Sequence, residues 1–276
     1  MNTTEMLLKE KNIGERNPLA SLQKETIKLE VEKEELRLIL KSLVEQGQAD
    51  LFEKLNQKLK KNKIYLNINE PAMSYKDFVS LEMVLENFQL KAKNADLFED
   101  VIPIEESELS LFRTIMERHK KTPMISEKAK SEAIIYPVLI EVLARSRQEF
   151  VIFSGKTFRV DSSKGLTGIC DFLLSAAGSA KQVIYAPVFA AVEAKKEGVE
   201  DHLGQCAAEM VAARIFNKEK KRNIDTIYGL VTSGTNWIFM KLEGDTIYVD
   251  SVQYYEIQLN KIIAILQHIV ESCIAE

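Results

Sequence analysis

The sequence predicts an α/β protein with a central mixed β-sheet flanked by helices and a helical arm in front of it. Leucines recur at heptad spacing over residues 19–43, which is typical of a long helix. From residue 126 onward, apolar runs rich in β-branched and aromatic residues alternate with amphipathic stretches. Strands that alternate with helices indicate a layered α/β domain.

Length and composition exclude several classes of protein. The 276 residues are 46% hydrophobic and 28% charged, which is ordinary for a globular protein with a sizeable core. No apolar run reaches the roughly 20 residues of a membrane span, and the polar start lacks the apolar core of a secretory signal, so a cytoplasmic protein is predicted. Three cysteines without a CxxC pair argue against a disulfide framework and a zinc–thiolate site.

Residues 1–62 are predicted to form the N-terminal helical arm. Its apolar stripe contains four leucines at intervals of seven, namely Leu22, Leu29, Leu36 and Leu43. Two polar residues, Thr26 and Lys33, interrupt the companion row three positions earlier. The arm either pairs with a second copy or a partner protein as a coiled coil, or folds back on residues 49–61 as a helical hairpin. Both alternatives remain open at this stage.

Residues 63–276 are predicted to form the second domain, with its core over about 126–250. Helices are expected at about 75–93 and 106–120, the second ended by Thr122 and Pro123. Ser126 is expected to cap the next helix, which Pro137 would kink.

The pattern then predicts the sheet. Two strands, 149–161 and 168–176, are joined by a glycine-bearing turn. Residues 183–196 are apolar on both faces until Val192, as expected of a central strand. A helix over 200–217 follows, then two further strands within 226–251 and a last helix over 259–274.

Two carboxylates and a lysine carry the candidate chemistry. Glu193 and Lys195 lie on one face of their strand because side chains alternate, and the Ala194 carbonyl lies beside them. Asp171 lies in an apolar run, where an ionised carboxylate costs several kcal/mol unless it is neutralised. If their strands are adjacent, Asp171, Glu193 and the Ala194 carbonyl make a hard oxygen site of the kind that Mg²⁺ or Mn²⁺ takes.

Each residue also has an ordinary structural interpretation. Glu193 and Lys195 are alternatively an ion pair at a strand end, and Asp171 a turn residue that accepts backbone hydrogen bonds. Glu132 is alternatively an acid that only favours its helix dipole.

The spacing of these residues resembles a known family. Asp171, followed 22 positions later by Glu193, Ala194 and Lys195, is similar to the D…ExK signature of the PD-(D/E)XK nuclease superfamily, which has the restriction-endonuclease-like fold. The resemblance implies a helix, a three-stranded meander, a helix and a returning strand over about 126–250. It also implies that Asp171 and Glu193 are metal ligands and that Lys195 is the catalytic lysine.

Further matches and departures accompany the signature. Glu132 resembles the additional acid that many members carry before the first strand, and Gln205 the helix glutamine of a subset. Cys170 stands where a proline is common, and Glu209 where that subset carries a tyrosine. Residues 131–143 and 230–242 resemble the nuclease domains of type I restriction enzymes.

The predicted function is hydrolysis of DNA phosphodiester bonds by an enzyme that depends on Mg²⁺ or Mn²⁺. Its role would be defence against foreign DNA or DNA repair, and RNA remains an alternative substrate. The net charge of −4 counts mildly against binding by overall charge, although the lysine-rich segments 58–63, 118–121 and 217–222 offer local basic surface. One alternative is a noncatalytic nuclease-fold module that binds nucleic acid or protein, with the arm mediating assembly. Another is a helical interaction protein for which the α/β part serves as a scaffold.

Overall fold

The computed structural model describes Lys54, residues 73–222 and residues 224–274. The chain divides into two units, Met1–Ala72 and Met73–Glu276. The predicted helical arm over residues 1–62 therefore lies outside the described residues apart from Lys54, and its coiled-coil or hairpin form stays a prediction.

The described part of the second unit is built on a mixed sheet, as the sequence predicts, and this sheet has eight strands. The strands run in the spatial order β1-β7-β6-β5-β4-β3-β2, with β8 paired to β6. The pairs β1–β7 and β4–β5 are parallel and the others are antiparallel. The strands are β1 (Lys91–Ala95), β2 (Phe150–Asp161), β3 (Leu166–Ala176), β4 (Val188–Ala194), β5 (Thr226–Thr232), β6 (Asn236–Glu243), β7 (Thr246–Asp250) and β8 (Tyr254–Tyr255).

Helices cover both faces of the sheet. They are α1 (Leu81–Phe88), α2 (Ser110–His119), α3 (Glu127–Lys130, Ser131–Ile135 and Tyr136–Arg145 in succession), α4 (Leu203–Glu219) and α5 (Leu259–Ile274). One apolar cluster joins α2, α3 and α5 to the sheet, and a second joins α1 and α4 to the opposite face. Strand β4 is buried along its whole length, as expected of a central strand. No described helix has the length and apolar character needed to cross a membrane.

The predicted helix over 75–93 is present only over Leu81–Phe88, and both of its ends are wrong. The segment forms a short 3₁₀ turn at Tyr75–Asp77, then α1, and then strand β1. Strand β1 is polar and mostly exposed, and it is held by parallel pairing with β7. A strand that is held by backbone pairing with a distant strand needs no alternation of apolar and polar residues. The hydrophobic pattern of the sequence therefore gave no signal for β1.

Two other expectations change in detail. Residues 226–251 form three strands rather than two, since the turns at Gly234 and Gly244 separate β5, β6 and β7. In α3 the predicted disturbance near Pro137 takes the form of a π-helical segment, Ser131–Ile135, just before it. Proline lacks the amide hydrogen of a regular helix, and such bulges are a common local adjustment.

Gly204 allows α4 to pack closely against the backbone at Phe78 and Ser80, and a substitution there tests this packing. A Cβ atom there would lie 2.6 Å from the carbonyl oxygen of Phe78 and still closer to that of Ser80. Backbone cannot move aside cheaply, so we expect Gly204→Ala to lower the free energy of unfolding by about 1–3 kcal/mol. Urea denaturation with the matched variant Gly229→Ala, whose Cβ meets the flexible Met210 side chain, gives the comparison. Equal losses in the two variants would contradict this account of α4.

Candidate active site

Strands β3 and β4 bring Asp171 and Glu193 together. The antiparallel register pairs Phe172 with Val192, so Asp171 lies opposite Glu193 on the neighbouring strand. The backbone N–H of Ala194 donates a hydrogen bond to Asp171 Oδ2 at 2.8 Å. The adjacency on which the sequence argument depended is therefore present in the fold.

Lys195 directly follows the last residue of β4, and its side chain lies on the same face as that of Glu193. Its backbone N–H donates to the carbonyl oxygen of Thr232 at 2.8 Å, which fixes the chain to β5. Its ammonium group forms an ion pair with Glu193 Oε1 and donates to Gln205 Oε1 at 3.2 Å. Gln205 is buried in the first turn of α4. Two of the predicted residues, Glu193 and Gln205, thus contact the ammonium group of Lys195.

The backbone at Ala194 directs a further oxygen to this group. In a strand, the N–H and C=O of one residue point to the same neighbouring strand. Because the Ala194 N–H points to Asp171, its carbonyl also points to the β3 side. Two carboxylates and a carbonyl therefore face the same region at the end of β4.

Glu132 is not brought to this group. It is exposed on the π-helical segment of α3 and forms an ion pair with Lys128. Glu127, at the start of the same helix, is exposed, and its charge adds to that of Glu193 in raising the pKa of Lys195. Lys130 Nζ donates to the carbonyl oxygen of Lys196 at 2.8 Å, so the start of α3 contacts the end of β4. Glu132, the acid that the resemblance selected, therefore lies apart from the group formed by Asp171, Glu193 and Lys195.

Burial sets the charge states at the centre. It raises the pKa of the Glu193 carboxyl to about 7, the negative charge of Asp171 adds to the rise, and Lys195 opposes it. Burial would lower the pKa of Lys195, but the ion pair with Glu193 raises it above its ordinary value. The lysine is therefore charged at neutral pH, while Glu193 readily takes up a proton.

Glu209 is the site residue that the sequence argument did not select. It lies on α4, is fully buried, and neither carboxylate oxygen has a hydrogen-bond partner among the described residues. Burial raises its pKa well above the ordinary value, and the charges of Glu193 and Asp171 raise it further. The signal was present in the sequence, because Glu209 lies among small and apolar residues of α4.

These raised pKa values predict how the metal-free protein responds to pH. Glu193 and Glu209 bind protons more tightly in the folded than in the unfolded state. The protons bound by these two carboxyls stabilise the folded protein in full below about pH 4.5. This stabilisation is lost as pH rises through the pKa that each group has in the folded state, at about 1.4 kcal/mol per pH unit for each group. We expect the melting temperature in EDTA to fall between pH 5.5 and 7.5.

A variant isolates this effect from other titrating groups. Glu209→Gln is expected to reduce the slope because it removes one of the two carboxyls. His202, whose pKa burial and Lys195 lower, acts in the opposite direction in both proteins and cancels in the comparison. Identical slopes for wild type and variant would show that Glu209 keeps an ordinary pKa.

The arrangement offers few ligands to a cation, yet they are of the right kind. The described residues contain no cluster of three or more His, Cys, Asp or Glu side chains placed to hold a metal ion. Asp171 and Glu193 offer two carboxylates, and Glu193 Oε2 is a buried acceptor without a partner in the described structure. Magnesium in proteins commonly uses one or two carboxylates and keeps several waters. The residues present fit such an ion.

Comparisons with family models, with curated proteins and with solved structures found no match to this chain. Its function is therefore argued from the geometry of the site itself.

Proposed function

We propose that this protein is a metal-dependent nuclease that hydrolyses the phosphodiester bonds of DNA. The observation that carries the proposal is the grouping of Asp171, Glu193 and Lys195 at the end of a buried strand. The buried Glu193 Oε2 lacks a hydrogen-bond partner among the described residues. Such an oxygen is costly unless a cation or a proton meets it.

The order of elements supports a restriction-endonuclease-like core. Helix α3 is followed by the antiparallel meander of β2, β3 and β4, then by α4, and then by β5 parallel to β4. This is the succession that the resemblance implies over residues 126–250. Asp171 lies on β3 and Glu193 on β4, the middle strands of this core, and Lys195 directly follows β4.

Asp171 and Glu193 would hold Mg²⁺ or Mn²⁺ together with the Ala194 carbonyl. When bound, such an ion lowers the pKa of a coordinated water and offsets the negative charge of a phosphate. The hard oxygen ligands favour these ions over softer metals. The two strands supply a rigid support for the ligands.

Lys195 would assist the attack on the phosphate. Glu193 and Gln205 hold its ammonium group from two sides, and 12% of the side chain remains exposed. A positive group fixed in this way orients the attacking water or stabilises the negative charge that develops on the phosphate. Gln205 restricts the rotation of the lysine, which we infer to be its role.

Local positive charge supports a nucleic-acid backbone as the substrate. Lys196 is exposed directly after Lys195, and Lys128 and Lys130 lie at the start of α3, which contacts Lys196. Lys128 is paired with Glu132, and Glu127 and Glu197 are exposed on the same segments, so Lys130 and Lys196 are the cations that would contact individual phosphates.

The test is cleavage of supercoiled plasmid and circular single-stranded DNA by the full chain, with Mg²⁺, Mn²⁺ or EDTA. We expect cutting that depends on the cation and that Asp171→Ala abolishes. A parallel reaction with structured RNA decides between the two nucleic acids. If the folded wild type cuts neither DNA nor RNA, the proposal fails and the noncatalytic binding module takes its place.

A further inference from the structure

A partly exposed aromatic ring lies beside the candidate active site. Tyr136 of α3 is stacked on Phe172, with ring centroids 6.0 Å apart and an interplanar angle of 13°. Phe172 is buried and directly follows Asp171 on β3, whereas 41% of Tyr136 is exposed. The core therefore supports one face of the tyrosine ring, and the exposed part of the ring is held in a fixed orientation close to a predicted metal ligand.

The far half of the β2–β3 hairpin, residues 156–170, projects past the same end of the sheet. Strand β3 is paired with β4 only from Phe172 onward, so residues 166–170 and their partners on β2 extend beyond the end of β4. The alternation of side chains breaks at this point. Cys170 belongs to the apolar cluster on the side of α4, and Phe172 belongs to the cluster on the side of α3. The break lies beside Gly155 of β2, whose φ is +60°.

This break turns one face of the hairpin toward the side of Tyr136. Side chains that alternate with the buried Cys170 face away from α4. They form what we call the hairpin face, which consists of the cross-strand pairs Thr157 with Ile169 and Arg159 with Thr167. Ile169 is 56% exposed, and Arg159 and Thr157 are exposed as well.

The hairpin carries positive charge that the described residues do not neutralise. Residues 156–170 contain three cations, Lys156, Arg159 and Lys164, and one acid, Asp161. Asp161 pairs with Lys164 at 3.1 Å. Arg159 Nε donates a hydrogen bond to Thr167 Oγ1 at 3.4 Å, and no carboxylate of the described residues forms an ion pair with Arg159. An apolar partner would leave this charge without compensation, so the surface suits an anionic one.

The combination of a fixed ring, an exposed aliphatic side chain and an unpaired cation fits a single nucleic-acid strand. Such strands alternate flat bases with phosphates, and proteins bind them by stacking bases on aromatic side chains and by placing cations along the backbone. In a duplex the faces of the bases are covered by their neighbours, so Tyr136 can stack only on a base that is unpaired.

We propose that Tyr136 and the hairpin face bind an unpaired DNA strand next to the reacting phosphate, which makes single-stranded DNA the substrate class. One base stacks on Tyr136, Ile169 contacts a neighbouring base, and Arg159 contacts a phosphate. The inference rests on the proposed function, since that function places the reacting phosphate at Asp171 and Glu193.

The test measures binding of labelled oligothymidine, and of a duplex of the same length, to the full chain by fluorescence anisotropy in EDTA. We expect the wild type to bind the single strand more tightly than the duplex. Loss of one base–aromatic stack is expected to make Tyr136→Leu bind the single strand about 5- to 100-fold more weakly. Tyr136→Phe keeps the ring and is expected to bind like the wild type. Tyr248→Leu changes a partly exposed tyrosine on β7, four strands from β3, and is the matched control.

The salt dependence of binding tests the contact made by Arg159. Each phosphate that a cation neutralises on a single strand contributes about 0.7 to the slope of log affinity against log salt concentration. We therefore expect Arg159→Gln to weaken binding and to reduce this slope by about 0.7. A folded variant with the wild-type slope would show that Arg159 contacts no phosphate.

The outcomes separate this inference from the proposed function. If the wild type cuts DNA in the presence of the cation, but folded Tyr136→Leu binds the single strand as tightly as the wild type, this inference is overturned and the proposed function stands. Equal affinity of the wild type for the single strand and the duplex also overturns it. If single strands bind selectively through Tyr136 and nothing is cut, the binding surface is supported and the proposed function fails.

Discussion

Lys195→Met is expected to reduce DNA cleavage by a factor of about 10²–10³ while leaving the divalent cation bound. Removal of one preorganised group that stabilises transition-state charge has an effect of this size. Methionine keeps the length and apolar stem of lysine, so packing against β4 and α4 changes little. Cation binding depends on the carboxylates and is not lost, because the centre becomes more negative. Single-turnover cleavage and Mn²⁺ titration measure the two effects separately.

Two controls distinguish this role from simple attraction between the protein and DNA. Lys196→Met removes an exposed charge from the next position and is expected to weaken DNA binding without a large change in the cleavage rate. Loss of Lys195 also removes the ion-pair partner of Glu193, which costs a few kcal/mol of stability in the metal-free protein. Folding must therefore be verified with the cation present. A Lys195→Met variant that cuts at the wild-type rate would remove the lysine from the mechanism.

The part of the site that lies on the sheet was predictable from the sequence. Strand alternation places Glu193 and Lys195 on one face, and the costly position of Asp171 inside an apolar run suggests a partner for it. These are local rules with a period of two residues, and the structure places the two carboxylates on adjacent strands. The final helix and the buried central strand follow from equally local patterns.

The part that lies on the helices was harder to predict, because it depends on how each helix is rotated and where it starts. Glu127 and Glu132 both lie on α3, but at about 3.6 residues per turn side chains five positions apart point in different directions. Glu132 pairs with Lys128, whereas the charge of Glu127 adds to that of Glu193 in raising the pKa of Lys195. Glu209 is four residues after Gln205 and lies on the same face, but the resemblance carried no role for an acid there.

Glu193→Gln is the second change for which we expect a large effect, and its two consequences differ. The amide keeps the shape of the side chain but gives the cation a neutral ligand, so cleavage is expected to fall to the level seen in EDTA. The metal-free protein is expected to be no less stable than the wild type at pH 7.5. Removing one partner of a buried ion pair usually costs 3–5 kcal/mol because the other charge is left without compensation.

That cost does not apply here, because Lys195 keeps the nearby charge of Asp171 and the carbonyl oxygen of Gln205. The substitution also reduces the three carboxylates of the buried centre to two, which relieves the repulsion that raises the pKa of Glu209. Chemical denaturation in EDTA measures the stability, and Glu200→Gln controls for the loss of an exposed carboxylate. A loss of several kcal/mol in Glu193→Gln alone would mean that the ion pair with Lys195 maintains the fold, whereas retained stability with lost cleavage assigns Glu193 to binding the cation.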